Sequence, residues 1–142
     1  MINMSSKLHL EPELYRVIDA NLNRLKEGIR VVEDIIRYRY NNQGISSKLK
    51  LIRHKINIQE TENLLKSRDS NNDVLKPTIK SEFNRTDISS IIIANFKRAQ
   101  ESSRVLEELY KLHSAKDSEN FKQIRYELYS LEKEIVLTYN RN

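Results

Sequence analysis

The motif Ala20-Asn21-x-x-Arg24-x-x-Glu27-x-x-Arg30-Val31-x-Glu33 recurs in the same chain as Ala94-Asn95-x-x-Arg98-x-x-Glu101-x-x-Arg104-Val105-x-Glu107, every match 74 positions on. A second pair follows: Leu49-Lys50-x-Ile52-Arg53 corresponds to Phe121-Lys122-x-Ile124-Arg125, 72 positions on. Self-similarity of this kind marks a repeated supersecondary unit. The unit is helical. Ile18, Leu22, Leu25, Ile29, Val32 and Ile36 step by three and four, as do Ile92, Phe96, Ala99, Ser103, Leu106 and Tyr110 in the second copy. Such spacing lays one apolar stripe along an α-helix. Each first helix has a partner, carrying Leu49, Ile52 and Ile56 in one half and Phe121, Ile124, Leu128, Leu131, Ile135 and Thr138 in the other.

The expected fold is therefore all-α. Two related αα-hairpins, 12–65 and 87–140, form a four-helix bundle within a single domain, 1–142, and a long polar loop, 66–86, joins the halves. Pro12 suits the first turn of the first helix. Ser46 or Ser47 is expected to cap the second, which continues toward Leu65. The third starts near Thr86 or Asp87, and the fourth after Asp117. Only 2 Gly and 2 Pro in 142 residues fit long helices with few turns.

Composition narrows the function classes. With 38% hydrophobic and 32% charged residues, the chain can fill one core beneath a charged surface. It has no cysteine, which excludes thiol chemistry and disulfides and fits a cytoplasmic location. No apolar run reaches the roughly 18 residues of a membrane span, and Met1 to Leu10 lack a signal peptide's apolar stretch, so no membrane partner is expected. Net charge is +5 and the pI is about 9.4. That balance favours anionic ligands. The basic residues are spread along the chain rather than gathered into a stripe, which argues against nucleic acid.

The polar residues of the repeat are the first candidate site. At about 100° per residue, Ala20, Arg24, Glu27, Val31 and Asp34 lie opposite the apolar stripe, as do Ala94, Arg98, Glu101, Val105 and Glu108. Arg24, Glu27 and Arg30 are spaced to form a salt-bridge ladder along an exposed helix. Alternatively the repeated arginines hold phosphate, for which a planar guanidinium fork is suited. The same faces could meet another subunit, and a homo-oligomer is expected. Asn21 and Asn95 are poor helix-interior residues. They are expected either to bond backbone or another helix, or to read a pyrimidine edge. The loop is the second candidate: Arg68, Asp69 and Asp73 place a cation and two carboxylates in a short span, and carboxylates with phosphate oxygens suit magnesium. A solvated turn is the plainer reading of those residues.

The quoted residues resemble the small hydroxymethylpyrimidine-phosphate kinase family, which occurs alone or fused to the N-terminus of thiamine-phosphate synthase. Asp19-Ala20-Asn21-Leu22-Asn23-Arg24 and Glu27-Gly28-Ile29-Arg30-Val31-Val32-Glu33-Asp34 are similar to its opening motif. Ile52-Arg53-His54, the loop Ser67-Arg68-Asp69-Ser70-x-x-Asp73-Val74, the second half through Glu108 and Arg125-Tyr126-x-Leu128-Tyr129 are similar to the later ones. The chain departs from the pattern at Asn72 and Leu75, where glycine is usual, and at Ser103, where an aliphatic is usual. The resemblance implies a standalone kinase that moves phosphoryl from ATP, with magnesium, onto the phosphorylated pyrimidine of thiamine biosynthesis. It implies catalytic roles for Arg68, Asp69 and Asp73, with Asp69 and Asp73 as metal ligands. Substrate or phosphate contacts would come from Asn21, Arg24, Glu27, Arg30, Arg53, His54, Asn95, Arg98, Glu101 and Arg104. Thiamine-phosphate synthase is a possible partner. The alternative reading is a non-catalytic helical module that binds or regulates an enzyme of that pathway.

Overall fold

The structure, a computed structural model, describes residues 12–56, 61–78 and 85–139. Among them every regular element is helical: α1 (Pro12–Asp34), extended by a π-helical turn (Ile35–Arg39), α2 (Gln43–Lys55), α3 (Thr61–Ser67), α4 (Ile88–Tyr110) and α5 (Ala115–Tyr139). The fold is all-α as expected, with five helices rather than four. α1 and α5 both pack along α4, and α2 and α3 lie against α1.

The periodic stripes form the core. Ile18, Leu22, Leu25, Ile29, Val32 and Ile36 are buried, as are Phe96, Ala99, Leu106 and Tyr110 of α4 and Phe121, Leu128 and Ile135 of α5. Burying side chains of this size is worth about 1.5–3 kcal/mol each. Thr138, at the end of the α5 stripe, is exposed. The central α1–α4 crossing is tight because of Gly28: a Cβ there would stand 2.9 Å from the Asn95 carbonyl oxygen and 3.3 Å from the Ala99 Cβ. Ser103, where an aliphatic side chain is usual, is fully buried, and its hydroxyl donates to the Phe121 carbonyl at 2.7 Å. The serine thus ties α4 to the first turns of α5.

Three boundaries differ from the sequence expectation. α2 begins at Gln43, not at Ser46 or Ser47; its cap is Asn42, whose side chain accepts from the Ile45 N–H. Ser46 instead lies buried at the end of the first turn. α2 does not continue toward Leu65: it ends at Lys55, and Ile56 turns the backbone away with its N–H on the Arg53 carbonyl. α3 is a separate short helix that buries Leu64 and leaves Leu65 exposed. α5 starts at Ala115, two residues before Asp117. By contrast α4 begins as expected, with Asp87 and Ser90 forming a reciprocal capping box. The middle of the linking segment, 79–84, lies outside the described residues.

Candidate functional site

One wall of a cleft of about 520 Å³ is the N-terminal half of α1, with Glu13, Arg16, Val17, Ala20, Asn21 and Arg24; the other is the loop following α3, with Arg68, Asp69, Ser70 and Asp73. The loop is docked by two contacts. Arg68 donates from Nε and Nη2 to the two carboxylate oxygens of Asp19, both at 2.7 Å. Arg16 Nη2 donates to the Asp69 carbonyl at 2.8 Å. Asp19 is buried and also accepts from Asn23 Nδ2. Within the loop, Asp69 accepts from the Asn72 backbone N–H and Nδ2, and Asp73 Oδ1 accepts from the Leu75 N–H. Asn72, standing where glycine is usual, thus pins the loop by its side chain.

The candidate residues separate by partner. Arg24 and Arg98, equivalent in the repeat, are exposed and make no ion pair or hydrogen bond among the described residues; the ladder that Arg24, Glu27 and Arg30 could form is not made. Arg30 pairs with Asp34 instead, and Arg104 with Glu107 and Glu108. Arg53 grips Glu33 through Nε and Nη2 at 2.7 and 3.1 Å. Its counterpart Arg125 donates from Nε and Nη2 to a single oxygen of Glu107, Oε1, at 3.3 and 3.0 Å. Both contacts clamp the two helices of one hairpin together. Asn21 and Asn95 each donate Nδ2 to the carbonyl four residues back, on Val17 and Ile91, at 2.8 Å. Asn21 lines the cleft, so its side-chain oxygen stays available for a ligand donor.

Glu27, Arg30, Arg53 and His54 come together, with Lys26 and Ile56, around a second, open depression. Asn95, Arg98, Glu101 and Arg104 lie on α4 and line neither cavity. The structure thus joins Asn21, Arg24, Arg68, Asp69 and Asp73 in one place and leaves the second-half residues apart from it.

The charges are set by these contacts. Burial pushes the Glu33 carboxyl up, but the hydrogen bonds and charge of Arg53, with Arg30 and His54 nearby, outweigh it and hold Glu33 below its ordinary value. The Asp19 carboxylate raises the Arg68 guanidinium. The hydrogen bonds from Asn72 lower Asp69. Lys111 lowers Glu108 in the same sense.

Among the described residues, no group of three His, Cys, Asp or Glu side chains could hold a metal. Asp69 has both oxygens engaged by Asn72, and Asp73 has one engaged by Leu75. Both loop carboxylates are thus hydrogen-bonded within their own loop.

Sequence reasoning passed over two residues that build the cleft, Arg16 and Asp19. On α1 it selected residues present in both copies of the repeat, and 74 positions on Arg16 becomes Ser90 and Asp19 becomes Ile93. Their absence from the second copy is itself the signal, because the loop docks on α1 alone.

The chain matches curated relatives named thiamine-phosphate synthase. It is 35% identical over 136 residues to that of Nostoc sp. strain PCC 7120, covering 93% of this chain and 38% of the relative. The Synechocystis sp. strain PCC 6803 protein is 38% identical over 118 residues, covering 82% and 34%, and that of Rhodopirellula baltica 34% identical over 127 residues, covering 86% and 34%. The chain thus spans a little over a third of the length of these relatives. No solved structure matches the chain at a significant level. These names correct the expected kinase: the relatives are named for making thiamine phosphate, not for phosphorylating a pyrimidine phosphate. The relatives' names keep the link to thiamine biosynthesis. The ThiD2 family model matches residues 16–134, from the first turns of α1 nearly to the end of α5, and the chain belongs to the ThiD2 family.

Proposed function

We propose that the chain is a ligand-binding helical module of thiamine-phosphate synthesis, and that the cleft between α1 and the 68–73 loop takes a small phosphorylated molecule of that pathway. The observation that carries this reading is Arg24, a guanidinium with no protein partner among the described residues, at the edge of a cleft whose other arginines are already engaged. A phosphate gives such a group charge-assisted bonds worth about 1.5–3 kcal/mol. Glu13, Asp69 and Asp73 make the rest of the wall acidic. A ligand with both a phosphate and a cationic ring suits that mixture better than a simple anion. Thiamine phosphate, with its thiazolium, is of that kind. Asn21 would accept a hydrogen bond from the ring system, and Arg68, held by Asp19, would keep the loop closed over it.

The experiment is calorimetric titration of the protein with thiamine phosphate and, as controls, with thiamine and inorganic phosphate. Binding of thiamine phosphate in preference to either control is expected. Arg24→Ala should weaken it about tenfold, about 1.4 kcal/mol, with an unchanged melting temperature. Equal affinity for the variant would remove Arg24, and with it this reading of the cleft. Self-association is a further proposal: Val31 and Val105 are partly exposed on the faces of α1 and α4, beside Arg24 and Arg98, which are unpaired among the described residues. Sedimentation at micromolar concentration would show a dimer or larger species if those faces pair.

A further inference from the structure

The two hairpins serve as controls for one another, and they differ at one corner. The clamped pair is separated by 20 residues in the first hairpin, Glu33 to Arg53, and by 18 in the second, Glu107 to Arg125. The first connection is thus two residues longer. The extra length is absorbed locally. α1 runs on through the π-helical turn Ile35–Arg39, Asn41 takes a left-handed conformation with φ of 50°, and α2 restarts at Gln43. In the second hairpin α4 stops at Tyr110 and α5 starts at Ala115.

This changes the fate of one repeated serine. Ser118 donates its hydroxyl to the Glu107 carbonyl at 2.8 Å. Glu107 lies in the last turn of α4, where carbonyls lack a helical N–H donor. Ser46 stands 72 positions earlier, but the corresponding Glu33 carbonyl lies inside a helix that continues to Arg39. Ser46 is nine-tenths buried, and its Oγ has no hydrogen-bond partner among the described residues. A buried polar group left in that state costs about 1–3 kcal/mol. It lines a cavity of about 310 Å³ together with Arg37, Asn41, Gln43 and Lys50.

The same cavity sits on the N-terminus of α2, a helix of 13 residues. Of the amides there, Asn42 is bonded to Ile36, Ile45 to the Asn42 side chain and Ser46 to the Asn42 carbonyl. The N–H groups of Gln43 and Gly44 remain for an acceptor from outside. Gly44 leaves the approach open, since a Cβ there would touch only Asn42 Oδ1, at 3.7 Å. The helix dipole, Arg37 and Lys50 all favour negative charge. Glu33, the one acidic residue of the lining, is neutralised by Arg53. The corner is held in place from α5, where Tyr139 stacks on Tyr40 with ring centroids 4.0 Å apart and its hydroxyl accepts from Asn42 Nδ2.

We propose that this corner is a second anion site that takes the phosphate of a small-molecule phosphate ester or diphosphate, held by the Gln43 and Gly44 N–H groups, the Ser46 hydroxyl, Arg37 and Lys50. It is separate from the α1–loop cleft. Arg37 and Arg16 are 21 residues apart along the helix, roughly 30 Å at about 1.5 Å per residue. The inference does not depend on the function proposed for that cleft.

The test is a nitrogen-15 NMR titration with inorganic phosphate and with pyrophosphate, against sodium chloride at matched ionic strength. Saturable shifts of the Gln43 and Gly44 amides are expected with either probe and not with chloride. The double variant Arg37→Ala/Lys50→Ala, at exposed positions, should weaken them at least tenfold, while Arg24→Ala leaves them unchanged. Ser46→Ala should melt at least as high as wild type without phosphate but lose most of the phosphate-dependent rise in melting temperature. Shifts absent, equal in chloride, or equal in the double variant would overturn the site. A full phosphate response in Ser46→Ala would overturn the part given to the serine.

Discussion

Arg53 separates two accounts of the repeated arginines, and replacing it with methionine tests them. If Arg53 is the clamp described above, Arg53→Met leaves the Glu33 side chain, 2% exposed, as an unpaired charge between α1 and α2. Breaking one side of a buried pair costs about 3–5 kcal/mol. A domain of this size has about 5–15 kcal/mol in total, so the variant should fold but melt early. Urea unfolding should show the loss in the midpoint with the slope unchanged. The pH dependence sharpens the test. In the wild type Glu33 is held below its unfolded value, so its stabilisation is present above the unfolded carboxylate range and is lost as pH falls through the folded value. In Arg53→Met the hydrogen bonds and charge of Arg53 are gone and burial, which raises the carboxyl, prevails. The variant's penalty is then full at pH 7 and fades as pH falls and Glu33 takes up its proton. The gap between variant and wild type should shrink from pH 7 toward about pH 4. The double variant Arg53→Met/Glu33→Leu should recover most of the loss, because apolar replacement of both partners is often neutral or better. A loss under about 1 kcal/mol at pH 7, or a gap that does not change with pH, would refute the clamp and return Arg53 to the ligand-binding candidates.

Gly28→Ala should destabilise the fold: overpacking against the Asn95 carbonyl costs about 1–3 kcal/mol, offset by about 1 kcal/mol of helix propensity, and thermal melting should fall by a few degrees. A higher melting temperature would mean that the α1–α4 crossing can yield. Asp19→Asn should free the 68–78 loop by weakening both bonds from Arg68, so limited proteolysis there should quicken while the melting temperature changes less than in Arg53→Met. Unchanged cleavage would show that the Arg16 contact alone docks the loop. Ser103→Ala should cost about 0.5–1.5 kcal/mol through the lost bond to the Phe121 carbonyl, and Ser103→Leu should cost more, by overpacking a fully buried position; a more stable leucine variant would contradict this.

What the sequence determined by itself was whatever repeats or has a period. The apolar stripes of α1, α4 and α5 are legible because a helix returns the same face every three to four residues, and burial of that face decides the core. The all-α class and the capped start of α4 follow from the same local chemistry. The tertiary structure decided what depends on distance in space. Arg24, Arg30 and Arg53 are alike as letters, yet one is unpaired among the described residues, one bonds along its helix and one clamps a neighbour, because a guanidinium's role is set by which carboxylate the packing brings within 3 Å or so. Arg16 and Asp19 gained their place in the cleft from a loop about 50 residues away. The cap of α2 moved from Ser46 or Ser47 to Asn42 because two extra residues in the first connection turned into a π-helical turn and a left-handed corner. No local propensity announces that rearrangement, since it is the α1–α2 packing that requires Glu33 and Arg53 to meet.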